Sequence, residues 1–323
     1  MPWPWIFLAV TLIGAWFTFN AYLPQRTRGA LIVPSFFAGW SVSELSAHHF
    51  AWQVVATVFF VWMGALEAWP GWLGLGITLV SWLGLLGITL RSRAAGDVVE
   101  GALVGGLGPT YRDRIDPEVE AQIGRPLRPS GHLLPFAFRD PDVRRIANIP
   151  YAPEHGFRGK LDVYLPSAGA SQAPVLFQVH GGGWAMSQKG HQALPLMVHL
   201  AKAGWVCVAP NYRLSPRATF PDHLVDLKRA LAWVRENIAQ FGGDPDFVAA
   251  TGGSAGGHLS AMLALTANDP EYQPGFEDVD TRIKACVPFY GVYDFTNRHE
   301  RQRHGGMQTF IEKVVLKKPL ETQ

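Results

Sequence analysis

The chain has 323 residues, a formal net charge of +2 and 48% hydrophobic side chains. With no basic excess to neutralise phosphates, nucleic acid is not an expected partner. The two cysteines, Cys207 and Cys286, sit inside apolar runs, there is no CxxC or HExxH, and the adjacent His48 and His49 cannot face one way on a helix. Neither a disulfide framework nor a metal centre is therefore expected.

The averages conceal two materials. Residues 1–90 carry only four charged side chains, Arg26, Arg28, Glu44 and Glu67, yet hold nine of the twelve tryptophans. Residues 4–23 are uncharged over about 20 positions, which at about 1.5 Å per residue matches a bilayer core of about 30 Å. Residues 51–69 and 72–90 form second and third spans, separated by Pro70-Gly71. Trp3, Trp5, Trp69 and Trp72 fall at span ends, where amphipathic rings favour the headgroup level. Residues 30–40 are apolar but short and contain Pro34, and read as interfacial or re-entrant. Buried helices of a soluble core would show polar stripes, and these spans are apolar all round. A cleaved signal peptide is not expected, because no positive segment precedes Ile6 and no A-x-A site follows the first span. Three spans place Arg26 and Arg28 on the same side as Arg91 and Arg93, which the positive-inside rule makes cytoplasmic, whereas four spans would put the two pairs on opposite sides and remove the preference. The expected architecture is thus an all-α transmembrane region over 1–92, with the remainder of this multi-pass protein facing the cytoplasm.

Residues 93–140 read as a linker: one weak helix in "AGDVVEGALVGGLG", then a proline- and glycine-rich stretch. From residue 141 the pattern changes. "RRIANIPYAP" and "KLDVYLP" are short strand candidates. "PVLFQVH", "GWVCVAPNY", "DFVAATG" and "IKACVPFYG" are continuous apolar runs suited to strands covered on both faces. Helical patterns alternate with them, in "QALPLMVHLAKAG", "DHLVDLKRALAWVRENIAQFG" and "SAGGHLSAMLALTAN". Strand alternating with helix predicts an α/β domain over 141–323, with a doubly wound, mostly parallel sheet.

Two glycine-rich motifs lie at strand ends. Gly252-Gly253-Ser254-Ala255-Gly256 matches G-x-S-x-G between a strand and a helix, the setting of a nucleophile elbow. Such a turn exposes the serine hydroxyl above the sheet at a helix N-terminus, where developing negative charge is favoured. The second motif is "HGGGW", His180–Trp184, directly after a strand. In an acyl-transfer enzyme the N–H groups of Gly182, Gly183 and Ala255 would hold the oxyanion of a tetrahedral intermediate. A phosphate-cradling loop is the competing use of such glycines, but G-K-[ST] and GxGxxG are absent.

Residues 141–295 resemble the α/β-hydrolase superfamily in its hormone-sensitive-lipase-like (bacterial family IV) esterase branch. The likeness is carried by "LDVYLP", "HGGGW", "PNYRLSP", "FPDHLVDLKRALAWV" and "GGSAGGHL". The wording is also similar to the formamidase/feruloyl-esterase-like group. With apolar spans ahead of it, the chain resembles membrane-anchored esterases. The resemblance implies carboxylic-ester hydrolysis through an acyl-enzyme on Ser254, without a cofactor, on an ester substrate that includes lipid esters. It implies a loop-bracing role for His180, and a catalytic acid and histidine on later strands. Gly253 departs from relatives that carry Asp or Glu before the serine. After Ser254 the chain supplies one further strand and the helical pattern of Met307, Phe310, Ile311, Val314 and Val315, a place where such relatives carry a lid. The acid and base are therefore expected beyond residue 323, on C-terminal strands missing from this sequence. His258, one turn along the elbow helix, reads as structural. His299 and His304 follow Asp294 too closely to stand on a separate strand end. The alternatives are an amidase, formamidase or peptidase of the same fold, or an inactive membrane-tethered binding protein.

Overall fold

A computed structural model describes residues 2–25, 31–123, 140–296 and 305–320. Arg26, Arg28, His299 and His304 lie outside the described residues. The chain divides into two compact units at Ile115/Asp116, inside the stretch 93–140 expected to be linker.

The first unit is helical: α1 (Trp3–Tyr22), α2 (Ile32–Glu44), α3 (Ser46–Trp62), α4 (Trp69–Ser92) and α5 (Ala95–Leu107). The expected span over 51–69 is not one helix. α3 starts earlier and ends at Trp62, where Gly64 takes φ 86°, and a short 3-10 turn leads into α4. Residues 30–40 fall within α2, whose 13 residues reach only about 20 Å. Two stretches are long and apolar enough to cross a membrane, Trp3–Tyr22 and Trp69–Leu107. Many small and polar side chains lie between the helices, with Phe7, Val42 and Leu85 buried among them. α1 buries Thr11, Gly14, Thr18 and Asn20; α3 buries His49, Gln53 and Thr57; α4 buries Gly74, Thr78 and Ser81. Thr18 and Ser81 hydroxyls share a hydrogen bond of 2.8 Å, the Tyr22 hydroxyl donates to the Gly84 carbonyl at 2.6 Å, and Ser35 donates to Asn20. Trp5, Leu12, Ile13, Val55, Val58, Trp62, Val80 and Leu83 face outward.

The second unit begins with the short helix α6 (Pro117–Ile123). It then builds a six-stranded sheet from β1 (Val143–Pro150), β2 (Lys160–Pro166), β3 (Ala173–Val179), β4 (Val206–Pro210), β5 (Gly243–Gly253) and β6 (Ala285–Phe289). The strand order is β1-β2-β4-β3-β5-β6. β4, β3, β5 and β6 are parallel, while β1 and β2 join antiparallel at one edge. Helices α7 (Leu194–Lys202), α8 (Asp222–Asn237) and α9 (Ala255–Leu265) connect the strands.

Side chains alternate between sheet faces. Val175, Phe177, Val206 and Val208 pack with Leu224, Leu227, Leu231 and Val234 of α8 and Leu259 and Leu263 of α9. Leu176 and Cys207 face the other way, against Met197 of α7. β3 and β4 are thus covered on both faces, as their apolar runs predict. β6 is not: Val287 and Phe289 stay half-exposed, because only β5 pairs with this strand among the described residues. The final helix, α10 (Gly305–Leu316, its last six residues a π-turn), inserts Ile311, Val315 and Leu316 into the core around α8 and α9.

This topology gathers the carboxyl ends of β3, β4, β5 and β6 along one edge of the sheet. In parallel α/β sheets that edge is where ligands bind.

Candidate active site

Ser254 is the hinge between β5 and α9. Its φ of 56° and ψ of −122° are costly for a residue with a side chain, and such outliers cluster at functional sites. Close backbone contacts keep the turn tight. The Ser254 N–H donates to the Phe289 carbonyl at 3.0 Å. A Cβ on Gly252 would lie 2.5 Å from the Val179 oxygen, and one on Gly257 2.5 Å from the Phe289 oxygen. A Cβ on Gly256 would strike the Val179 oxygen and stand 2.8 Å from the His180 carbonyl. Glycine at 252, 256 and 257 is what lets the elbow press against the ends of β3 and β6.

The segment after β3 turns over this elbow. Gly182 and Gly183 both take positive φ, 115° and 58°. Ala185 and Met186 N–H groups donate back to the Gly182 carbonyl at 3.1 and 3.0 Å, and Gly181 N–H donates to Gln192 Oε1 at 2.7 Å. The Gly182, Gly183 and Ala255 N–H groups donate to nothing among the described residues. The Ser254 hydroxyl likewise has no hydrogen-bond partner there. These free donors flank a strained serine at the N-terminus of an 11-residue helix.

His180 anchors the loop's start. Its Nδ1 lies 2.9 Å from the Gly181 oxygen, and its ring stacks on Tyr212 at 4.4 Å and 13°. The Tyr212 hydroxyl donates to the His180 carbonyl at 2.9 Å. Burial lowers the His180 pKa to about 4, so the ring is neutral at physiological pH. Tyr212 is in turn set by its neighbour: Arg213 forks onto the fully buried Asp226, with Nη2 at 2.7 Å and Nε at 2.9 Å, and its N–H donates to the same carboxylate.

His258 is enclosed by aromatic rings. Trp184 meets it edge-on at 5.4 Å, Phe295 at 4.9 Å and Phe220 at 6.4 Å. Its Nδ1 is buried without a partner, and burial lowers its pKa to about 4. No histidine or carboxylate hydrogen-bonds to the Ser254 side chain among the described residues. Asp294 lies on the loop after β6, where Thr296 donates to it at 3.4 Å. No cluster of His, Cys, Asp or Glu among the described residues forms a metal site.

The structure thus brings together Ser254, Ala255, Gly182, Gly183 and His180, and places His258 in an aromatic wall. It adds Tyr212, Gln192 and Asp226 as supports. Tyr212 and Arg213 stand within "PNYRLSP", whereas neither Gln192 nor Asp226 bears a local motif.

The BD-FAE family model matches residues 161–323. The probable carboxylic ester hydrolase LipM of Mycobacterium tuberculosis (strain ATCC 25618 / H37Rv) is 43% identical over 330 residues, covering 97% of this chain and 72% of LipM. Esterase LipQ of the same strain is 45% identical over 240 residues, covering 73% of this chain and 56% of LipQ. Carboxylesterase NlhH of the same strain is 37% identical over 118 residues, covering 35% of this chain and 37% of NlhH. The LipM match runs through both units. A six-stranded sheet of this order, a match over half the chain and these relatives lead to one assignment: the chain belongs to the BD-FAE family, among the carboxylic ester hydrolases of the α/β-hydrolase superfamily.

Proposed function

We propose that this protein is a membrane-anchored serine hydrolase that cleaves carboxylic esters through an acyl-enzyme on Ser254. The observation that carries the reading is the set of three unpaired N–H groups, of Gly182, Gly183 and Ala255, beside a strained serine whose hydroxyl is uncommitted. Ser254 Oγ attacks the ester carbonyl carbon, and its proton passes to a histidine. The carbonyl oxygen becomes an oxyanion and takes hydrogen bonds from the three N–H groups, aided by the dipole of α9. Collapse expels the alcohol, which recovers the proton, and water then releases the acid by the same steps. The base and its carboxylate partner belong to segments outside the described residues. His258 is set aside as base because its ring is enclosed by Trp184, Phe220 and Phe295. His180 braces the loop and does not transfer protons. The test is covalent labelling by a fluorophosphonate probe. Ser254-dependent labelling is expected, and labelling that persists in Ser254→Ala refutes the assignment.

The helical unit is proposed to be the anchor, with the hydrolase domain in the cytoplasm. Its pattern supports this: many small and polar side chains pack between helices while large apolar ones face outward. The orientation rests on α1, α3 and α4 each crossing, a three-span count that puts Arg26 and Arg28 on the same side as Arg91 and Arg93. Retention in the membrane after alkaline carbonate extraction, and protection of the hydrolase domain from external protease in spheroplasts, are the expected results. Release by carbonate would remove the anchor, and external digestion would reverse the orientation.

A further inference from the structure

We infer that Tyr290 is a substrate-selecting wall beside Ser254, and that position 253 is glycine because the Tyr290 ring fills its side-chain space. This rests on the reading of Ser254 as nucleophile. The last residue of β6 is pinned to the elbow, since the Phe289 oxygen accepts the Ser254 N–H at 3.0 Å. The next residue, Tyr290, takes φ 38°, a conformation that is an outlier for a bulky side chain and persists only where its surroundings impose it. The bend carries the ring back over the elbow. A Cβ on Gly253 would lie 2.6 Å from the Tyr290 hydroxyl oxygen, 2.8 Å from Cζ and 2.9 Å from Cε2.

Among the described residues Tyr290 is 78% exposed, and its hydroxyl has no hydrogen-bond partner. It stands on the β6 side of β5, while the Gly182–Gly183 loop rises from β3 on the other side. An ester whose carbonyl oxygen points to the loop therefore presents a carbonyl substituent, acyl or alcohol, toward Tyr290. A rigid aromatic face there limits the size of that substituent.

The experiment compares hydrolysis of p-nitrophenyl butyrate and laurate, and of short- and long-alcohol butyrate esters. The proteins are the wild type, Tyr290→Ala, Tyr290→Phe, Gly253→Ala and the Gly253→Ala/Tyr290→Ala double variant. Removing the ring should raise the long-to-short ratio of kcat/KM about tenfold or more in one of the two series, the low end of what one methylene is worth in a pocket. Tyr290→Phe should keep the wild-type ratio, because the ring and not the hydroxyl forms the wall. Gly253→Ala should displace the ring and shift the ratio in the same direction, and the double variant should go no further. An unchanged ratio in Tyr290→Ala, in a protein whose hydrolysis is abolished by Ser254→Ala, overturns the proposal alone. Independent, additive shifts from positions 253 and 290 also overturn it. Hydrolysis that survives Ser254→Ala overturns the nucleophile instead. Thermal unfolding of each variant separates loss of fold from loss of selectivity.

Discussion

Gly256→Ala is the sharpest test of how the elbow and the oxyanion loop are joined. The added Cβ would strike the Val179 carbonyl oxygen and lie 2.8 Å from the carbonyl carbon and oxygen of His180. All three are backbone atoms at the end of β3, so no side chain can swing away. Relief to ordinary contact requires α9 and the loop to separate by roughly 1 Å, an overpacking that typically costs about 1–3 kcal/mol. That separation opens the gap between the Gly182 and Gly183 donors and that of Ala255. One misplaced oxyanion donor is worth about 3 kcal/mol in the transition state, so the rate should fall about a hundredfold or more. The assays are thermal unfolding and the fluorophosphonate labelling rate, measured on the same preparation. A modest loss of stability with a large loss of labelling is expected. Wild-type labelling by Gly256→Ala would show that the β3 loop and the elbow do not act as one site.

Other substitutions test the surrounding shell. His258→Leu should label within about threefold of wild type, since an enclosed ring with an unpaired nitrogen is no base; complete loss of labelling would restore His258 as a candidate. Asp226→Ala removes the buried partner of Arg213, which is partly exposed and keeps Asp222 at 3.5 Å, and should lower the unfolding free energy by about 1.5–3 kcal/mol in urea titrations, the scale for hydrogen bonds to a charged group; a change under about 0.5 kcal/mol would remove its supporting role. Burial holds His180, His258 and His223, which lies in the first turn of α8 with its Nε2 3.1 Å from the Ser215 hydroxyl, at about 4. In the unfolded chain histidines take up protons near 6.5. Between those values the unfolded state binds more protons, so stability is full above about pH 6.5 and falls on acidification toward pH 4. The slope is at most about 1.4 kcal/mol per pH unit for each histidine. His258→Leu should reduce that slope by up to one proton's worth, and an identical slope in the variant would refute the assignment.

Much of the fold is legible locally because its signals are local. A run such as "PVLFQVH" lacks any polar alternation, and a strand like that needs cover on both faces; α7 and α8 supply it. "GGSAGGHL" announces close backbone approach, since only glycine tolerates carbonyl oxygens at 2.5 Å from a Cβ position. The helix breaks are harder to see. Ala51–Trp69 is apolar apart from Gln53, Thr57 and Glu67, and nothing in hydropathy marks Gly64 as the residue that turns left-handed and ends α3.

By itself the sequence determined the two materials of the chain, the alternation that makes an α/β sheet, and the serine and glycine loop placed at strand ends. These follow from composition, period and backbone freedom, which are properties of a residue and its neighbours. Only the tertiary structure decided what surrounds them. It set His258 among three rings from distant segments, gave the Gly181 N–H to Gln192, and buried Asp226 beneath Arg213. It also turned Tyr290 back over Gly253, although Tyr290 and Ser254 stand 36 positions apart in the chain. Such contacts depend on strand order and loop path, and no local pattern encodes which ring comes to rest against which glycine.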